Sequence, residues 1–128
     1  MRLLLALVVL GIALTAVSID GHHSFAAEFD INQPVSLRGT VVRLDWVNPH
    51  SWIHIAVTSP DGKVEQWAVE GAGPTQLMRR GMRKTDFPVG IEVQVTGYRA
   101  RNKANVAAAR SIKKLDGTEY FFSGSAAP

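Results

Sequence analysis

The stretch Trp46–Ile55 places the tightest constraint on the fold of this chain, because it joins two runs of strand-forming residues. Its Asn48-Pro49 dipeptide favours a turn, since proline fixes φ and pushes the preceding residue out of the helical region. We therefore predict that one strand ends at about Val47 and that the next one occupies 51–58.

The predicted strand at 51–58 has two faces of different chemistry. Because successive side chains of a strand alternate, Ile53, Ile55 and Val57 share one face, and Trp52 and His54 share the other. We expect the aliphatic face to lie in the core. The opposite face, together with Trp46 before the turn, then forms a rim of imidazole and indole groups, which is the best candidate for a binding site.

The first eighteen residues, 1–18, have the composition of a secretory signal peptide. Arg2 supplies a positive start, residues 3–16 are apolar, and small residues at 16–18 resemble a cleavage site. The apolar run is shorter than the roughly 20 residues that a membrane span needs. We expect a periplasmic or secreted protein that begins at about Ile19 and leaves the membrane after cleavage. An uncleaved anchor is the alternative.

The composition of the chain limits its chemistry and its partners. Its 128 residues suffice for one domain, and the absence of cysteine excludes disulfides and cysteine-based metal or redox sites. Fourteen Lys and Arg stand against eleven Asp and Glu, an excess too small to indicate a nucleic-acid partner. Export argues against such a partner as well, and we expect a monomer or a weakly associating protein.

Apolar alternation and turn signals predict the element order β-β-β-α-β-β. We expect these five strands at 35–47, 51–58, 64–70, 91–98 and 106–115, and a helix at 74–81; residues 118–122 could add a sixth short strand. Within them, the apolar parity of the first strand switches near Gly39, where we expect a bend, and Leu77 and Met78 should be the buried side of the helix.

This element order is typical of an OB-fold, a partly open Greek-key barrel of five strands. We predict an all-β fold, a small OB-like barrel of five to six strands with one short helix between the third and fourth strands. Phe25 and Phe29 should pack the preceding arm on the barrel. The predicted segments are an N-terminal arm at 19–34, the barrel at 35–122 and a flexible tail at 123–128.

The histidines suggest a metal site. Imidazole is a common ligand of copper and zinc, and an N-terminal arm could fold His22 and His23 onto the turn that carries His50. His54 is less favoured as a ligand of the same ion, since four strand residues span about 13 Å and only a sharp bend at Ser51 would bring it near His50. In the alternative interpretation, the histidines only pack or form hydrogen bonds beside Trp46 and nearby backbone.

A metal-free binding or scaffolding module, for a protein, a saccharide or another anionic ligand, is the second hypothesis. Trp52 and Trp67 could stack on such a ligand, although a buried core position is the alternative for Trp67. Arg99, Arg101 and Lys103 could meet an anionic group.

Signals for catalysis are missing from the sequence. No carboxylates are tied by spacing to a nucleophile, and no serine stands in a Gly-x-Ser-x-Gly motif. Gly71-Ala72-Gly73 is followed by proline and lacks the lysine of a phosphate-binding loop. We therefore expect a protein that binds a ligand, with a divalent metal ion as the leading candidate, and not an enzyme.

Several short motifs carry a resemblance to a known family. They are His22-His23-Ser24-Phe25, Phe29-Asp30, Gly39-Thr40-Val41, the Trp46–His50 segment and Gly97-Tyr98-Arg99-Ala100-Arg101-Asn102. With these motifs the chain resembles, from His22 to about Gly117, a family of small exported bacterial proteins classed as a domain of unknown function. The resemblance implies an export signal, a small β-barrel and no assigned catalytic residues.

Overall fold

A computed structural model describes residues 25–124. Residues 25–28 are helical, and six strands follow: β1 (Phe29–Asp45), β2 (Trp52–Thr58), β3 (Val64–Glu70), β4 (Glu92–Ala100), β5 (Val106–Lys114) and β6 (Glu119–Phe121). Between β3 and β4 lie the helix α1 (Pro74–Arg79) and a 3₁₀ turn (Lys84–Asp86). The predicted signal peptide, the His22-His23 pair and the last four residues lie outside the described part. Within residues 25–124, no helix is both long and apolar enough to cross a bilayer.

Strand pairing closes the first five strands into a ring. The order in the sheet is β3-β2-β1-β4-β5-β6, with antiparallel neighbours, and β3 also pairs with β5 in parallel. β6 extends the sheet beyond β5. The prediction of a small all-β fold with one short helix between the third and fourth strands is confirmed, and the ring has the pairing order of an OB-like barrel.

The interior of the ring, which we call the main core, is largely aliphatic and also holds Trp67, Phe87 and Phe122. Its fully buried side chains include Val41, Ile53, Ile55, Val69, Val93, Val95 and Ile112. Each contributes about 1.5–3 kcal/mol through burial. The predicted inward face of β2 is correct, and Leu77 of α1 is buried, but Met78 is 51% exposed. The expectation for Met78 is wrong because α1 has six residues, less than two turns, and buries a narrow face.

β1 is longer than predicted at its start. It begins at Phe29, which pairs with Ala100 of β4, and regular pairing resumes at Pro34 after a shift of register. Residues 29–34 of the predicted arm therefore belong to the sheet. Phe25 and Phe29 stack with ring centroids 5.5 Å apart, and Phe25 meets Tyr98 edge-on at 5.9 Å. The phenylalanines thus anchor the start of the described chain on β4 and β5, as expected.

The bend of β1 lies slightly later than predicted. The register against β2 shifts between Val41 and Arg43, so Val42 is an extra residue that points outward. Such a bulge reverses which side chains face the core, which explains the switch of apolar parity. Gly39 serves another purpose, because a Cβ there would lie 2.6 Å from the carbonyl oxygen of Ala56.

Candidate functional site

The rim of the ring carries a close pair of side chains, His50 and Glu70, which we call the rim pair. β2 and β3 pair so that Trp52 lies opposite Glu70, and His50 precedes Trp52 by two residues. Nδ1 of His50 lies 2.6 Å from Oε1 of Glu70. The imidazole is 45% exposed and the carboxylate 13%. The rim pair therefore combines a sheltered anion with a nitrogen base that solvent reaches.

Small residues beneath the rim hold the pair in place. The amide of Ser51 donates to the carbonyl oxygen of Ala72 at 3.1 Å. The amide of Gly71 in turn donates to the carbonyl oxygen of Ser51 at 2.8 Å. A Cβ on Gly73 would lie 2.7 Å from the carbonyl oxygen of Pro49. The Gly-Ala-Gly segment after β3 can therefore pass directly under the turn before β2, which brings the end of β3 beside His50.

A cavity of about 380 Å³ adjoins the rim pair, and we call it the rim cavity. Its lining includes Glu28, Trp52, Glu70 and Arg101. Burial raises the pKa of Glu70; the neighbouring His50 opposes this shift, and the negative charge of Glu28 adds to it. Two carboxylates that line one cavity favour the entry of a cation, and the charge of Arg101 in the same lining offsets part of this effect.

Because the pKa of Glu70 is raised in the folded protein, this residue makes the folded state more stable at acidic pH than at neutral pH. Below its ordinary pKa of 4.5, the carboxyl is protonated in both the folded and the unfolded chain. As the pH rises from there to the raised folded pKa, the unfolded chain releases its proton first, so stability falls.

We expect Glu70→Gln to remove this loss of stability. The substitution is compared in a His50→Ala background, so that Glu70 titrates without its basic neighbour. The double variant should gain stability relative to His50→Ala as the pH rises through this window. Urea unfolding at several values between about pH 4 and 7 measures the difference. Parallel stability curves for the two proteins would contradict the prediction.

His54 belongs to a separate cluster on the outer face. Its Nε2 lies 2.9 Å from Oδ2 of Asp45, and Nη2 of Arg43 lies 3.0 Å from the same oxygen and 2.8 Å from that Nε2. One ring nitrogen cannot donate to Asp45 and accept from Arg43 at once. Donation from His54 to the carboxylate lets both side chains contact the same oxygen of Asp45, and this hydrogen bond, with the charge of Arg43, lowers the pKa of Asp45. Nε2 of His54 is therefore engaged within the protein.

Trp67 and Arg99 stabilise the loop between β4 and β5. Trp67 is buried in the main core, and the guanidinium carbon of Arg99 lies 5.0 Å from its ring centroid. Arg99 also donates to the carbonyl oxygens of Lys103 and Ala104, at 2.6 and 3.1 Å, and to Oδ1 of Asn105 at 3.0 Å. Burial favours the core alternative for Trp67, and the guanidinium of Arg99 is committed to its own loop.

The predicted site residues fall into three groups. Trp52 and Arg101 line the rim cavity, and His50 contacts its Glu70. Arg101 also holds the helical turn at 25–28 through two hydrogen bonds. Its Nε donates to the carbonyl oxygen of Ala26 at 2.6 Å, and its backbone amide donates to the carbonyl oxygen of Glu28 at 2.8 Å. Trp46, half-buried against the main core, and His54 and Arg99 make other contacts. His22 and His23 lie outside the described residues.

Glu70 is the site residue that the sequence prediction missed. The signal was the Pro60-Asp61-Gly62 turn, which sets Thr58 opposite Val64, so that counting along both strands places Glu70 opposite Trp52. The position of Glu28 depends on the path of the arm and had no such signal. Among residues 25–124, no three His, Cys, Asp or Glu side chains are grouped closely enough to hold a metal ion.

Comparison with known proteins places the chain among proteins of unknown function. Residues 8–108 match a family described as a family of unknown function, DUF6152. No curated protein matches the chain significantly, and neither does any solved structure.

Proposed function

The chain belongs to the DUF6152 family, whose function is unknown, and we propose that it is an exported protein that binds copper or zinc at the rim pair. The 2.6 Å contact between His50 Nδ1 and Glu70 Oε1 carries the proposal. Imidazole nitrogen and carboxylate oxygen both ligate these ions. An ion that binds here would replace the proton shared by this contact, with Nδ1 of His50 and the carboxylate of Glu70 as its ligands at a solvent-accessible place.

Two ligands do not complete a site, and we assign the remaining ones to His22 and His23. In the sequence these residues directly precede the helical turn at 25–28. Glu28 of that turn lines the rim cavity together with Glu70. Three imidazoles and one carboxylate form a ligand set that suits zinc or copper. Arg101, which anchors the turn through its backbone, would position the arm for this closure.

Titration of the mature protein with Cu²⁺ and with Zn²⁺ tests the proposal, with the N-terminus determined by mass spectrometry. Calorimetry gives the stoichiometry, and tryptophan fluorescence reports on the rim, because Trp52 shares the rim cavity with Glu70. We expect one ion per chain and loss of tight binding in the His22→Ala/His23→Ala variant. No binding below the millimolar range, or equal binding by that variant, would refute the arrangement.

We expect His50→Ala to lower the affinity for copper by roughly tenfold or more. The side chain is exposed enough that its loss should leave the fold intact, so circular dichroism should be unchanged. His54→Ala is the matched control, because His54 lies in a separate cluster where the positive charge of Arg43, 2.8 Å from its Nε2, opposes a metal ion. Unchanged affinity in His50→Ala would exclude this residue, whereas a loss confined to His54→Ala would move the ion to the Asp45 cluster.

A further inference from the structure

A groove of about 860 Å³ crosses the outer face of β1, β4, β5 and β6. It shares no lining residue with the rim cavity. Its volume lies in the range of small-molecule sites, roughly 300–1,000 Å³. We call it the outer groove, and neither the family match nor the proposed metal site assigns it a role.

A bulge in β5 gives the outer groove its polar residues. Thr96 pairs with Ser111 and Gly97 with Ala109, so Arg110 is an extra residue between them. Ala109 and Ile112, on either side of Arg110 and Ser111, face the core. Arg110 and Ser111 therefore both point outward, and both line the groove. Bulges of this kind re-aim side chains and are enriched beside functional sites.

These residues form a directed chain of hydrogen bonds on the floor. Oγ of Ser111, which is buried, donates to Oε1 of Glu119 at 2.6 Å, so Oγ1 of Thr96, 3.0 Å away, donates to Ser111. Glu119 keeps acceptor capacity for a ligand. Within residues 25–124, the guanidinium of Arg110 has no hydrogen-bond or ion-pair partner of its own, so its donors are available in the same groove.

Aromatic side chains stand at the edges of this floor. Phe121 of the short strand β6 is 62% exposed and lines the groove, as does the half-buried Tyr98. Gly97 of β4 lies between Thr96 and Tyr98, and a Cβ there would overlap the carbonyl oxygen of Ala108, so β4 and β5 approach closely in the floor. A flat ligand on this face can reach the polar residues and the aromatic rings together.

We propose that the outer groove binds an oligosaccharide. The apolar faces of sugar rings pack on Phe121, and their hydroxyl groups bridge the carboxylate of Glu119 and the guanidinium of Arg110, both planar groups suited to adjacent hydroxyls. An extended peptide would need free backbone groups at a sheet edge. The backbone of β4 and β5 under the groove is already paired, so a ligand on this floor is recognised by side chains, whereas a peptide would have to add to the outer edge of β6.

Titration of ¹⁵N-labelled full-length mature protein with chitotriose, cellotriose and maltotriose tests this proposal. We expect at least one of these sugars to bind, with amide shifts concentrated at Gly97, Ser111 and Phe121. Phe121→Ala should weaken that binding tenfold or more. Leu115→Ala is the matched control, because Leu115 is 71% exposed and lies outside the groove.

Several results would overturn the proposal. They are the absence of shifts with all three sugars, equal affinity of Phe121→Ala and the natural chain, and shifts confined to the rim cavity. If Phe121→Ala alters the fold, Glu119→Gln provides a second test, since it removes the negative charge and replaces one accepting carboxylate oxygen with a donating amide group. His50→Ala should bind sugar normally, so failure of the metal site and failure of this groove are distinguishable.

Discussion

Truncating Phe122 to alanine is expected to lower the free energy of unfolding by about 4 kcal/mol. Its side chain is fully buried in the main core, beneath Gly71, and its carbonyl oxygen accepts from the amide of Ala72 at 2.8 Å. Arg80 holds the same segment by donating to the carbonyl oxygen of Ser123 at 2.7 Å. Urea unfolding followed by tryptophan fluorescence measures the loss.

A double-mutant cycle with Gly71 tests whether the ring of Phe122 packs directly against Gly71. A Cβ on Gly71 would overlap the ring of Phe122, so Gly71→Ala alone should destabilise by about 2 kcal/mol. In the Phe122→Ala background the added methyl group enters the vacated space, and its cost should largely vanish, a coupling of about 1–2 kcal/mol. Strictly additive losses would show that the two residues do not oppose each other.

Replacing Gly97 with alanine should be nearly as damaging, with a loss of about 3 kcal/mol. The new methyl group would overlap the carbonyl oxygen of Ala108, which belongs to the backbone of the paired strand β5. Unlike a side chain, this backbone cannot rotate away without breaking the ladder between β4 and β5.

Gly124→Ala is the control for Gly97→Ala, because a Cβ at Gly124 meets no atom within 4 Å. The same urea unfolding experiment should show a change of less than about 0.5 kcal/mol for this variant. A similarly small change for Gly97→Ala would mean that β4 and β5 do not approach as closely as described.

Local turn chemistry made much of the fold predictable from the sequence. The strand at 64–70 was predicted with its observed bounds, because Pro60-Asp61-Gly62 and Gly71 mark its ends. Prediction was weaker where tertiary contacts decide. β1 starts at Phe29 because β4 offers it a partner. Met78 is exposed because a short helix buries only a narrow face, and a pattern of apolar residues does not show how narrow that face is.

The candidate site was only partly predictable for the same reason. A histidine beside tryptophans pointed to the rim, and His50 does lie against a carboxylate there. The partner itself, Glu70, comes from another strand and needs the register of the hairpin. Conversely, composition could not reveal that Arg99 and His54 are occupied, because their partners are backbone oxygens and a carboxylate supplied by folding.

The parallel contact between β3 and β5 has a consequence for how the ring closes. It joins segments separated by α1 and the whole of β4, whereas the β2–β3 and β4–β5 hairpins join near neighbours. Contacts of high sequence separation form against a larger loss of chain entropy, and proteins rich in them fold slowly. Glu70 pairs with Ala108 across this contact and with Trp52 in the β2–β3 hairpin, so the carboxylate of the rim pair lies where the ring closes. A ligand held by Glu70 would bind the closed ring more tightly than an open one, and would therefore slow its reopening.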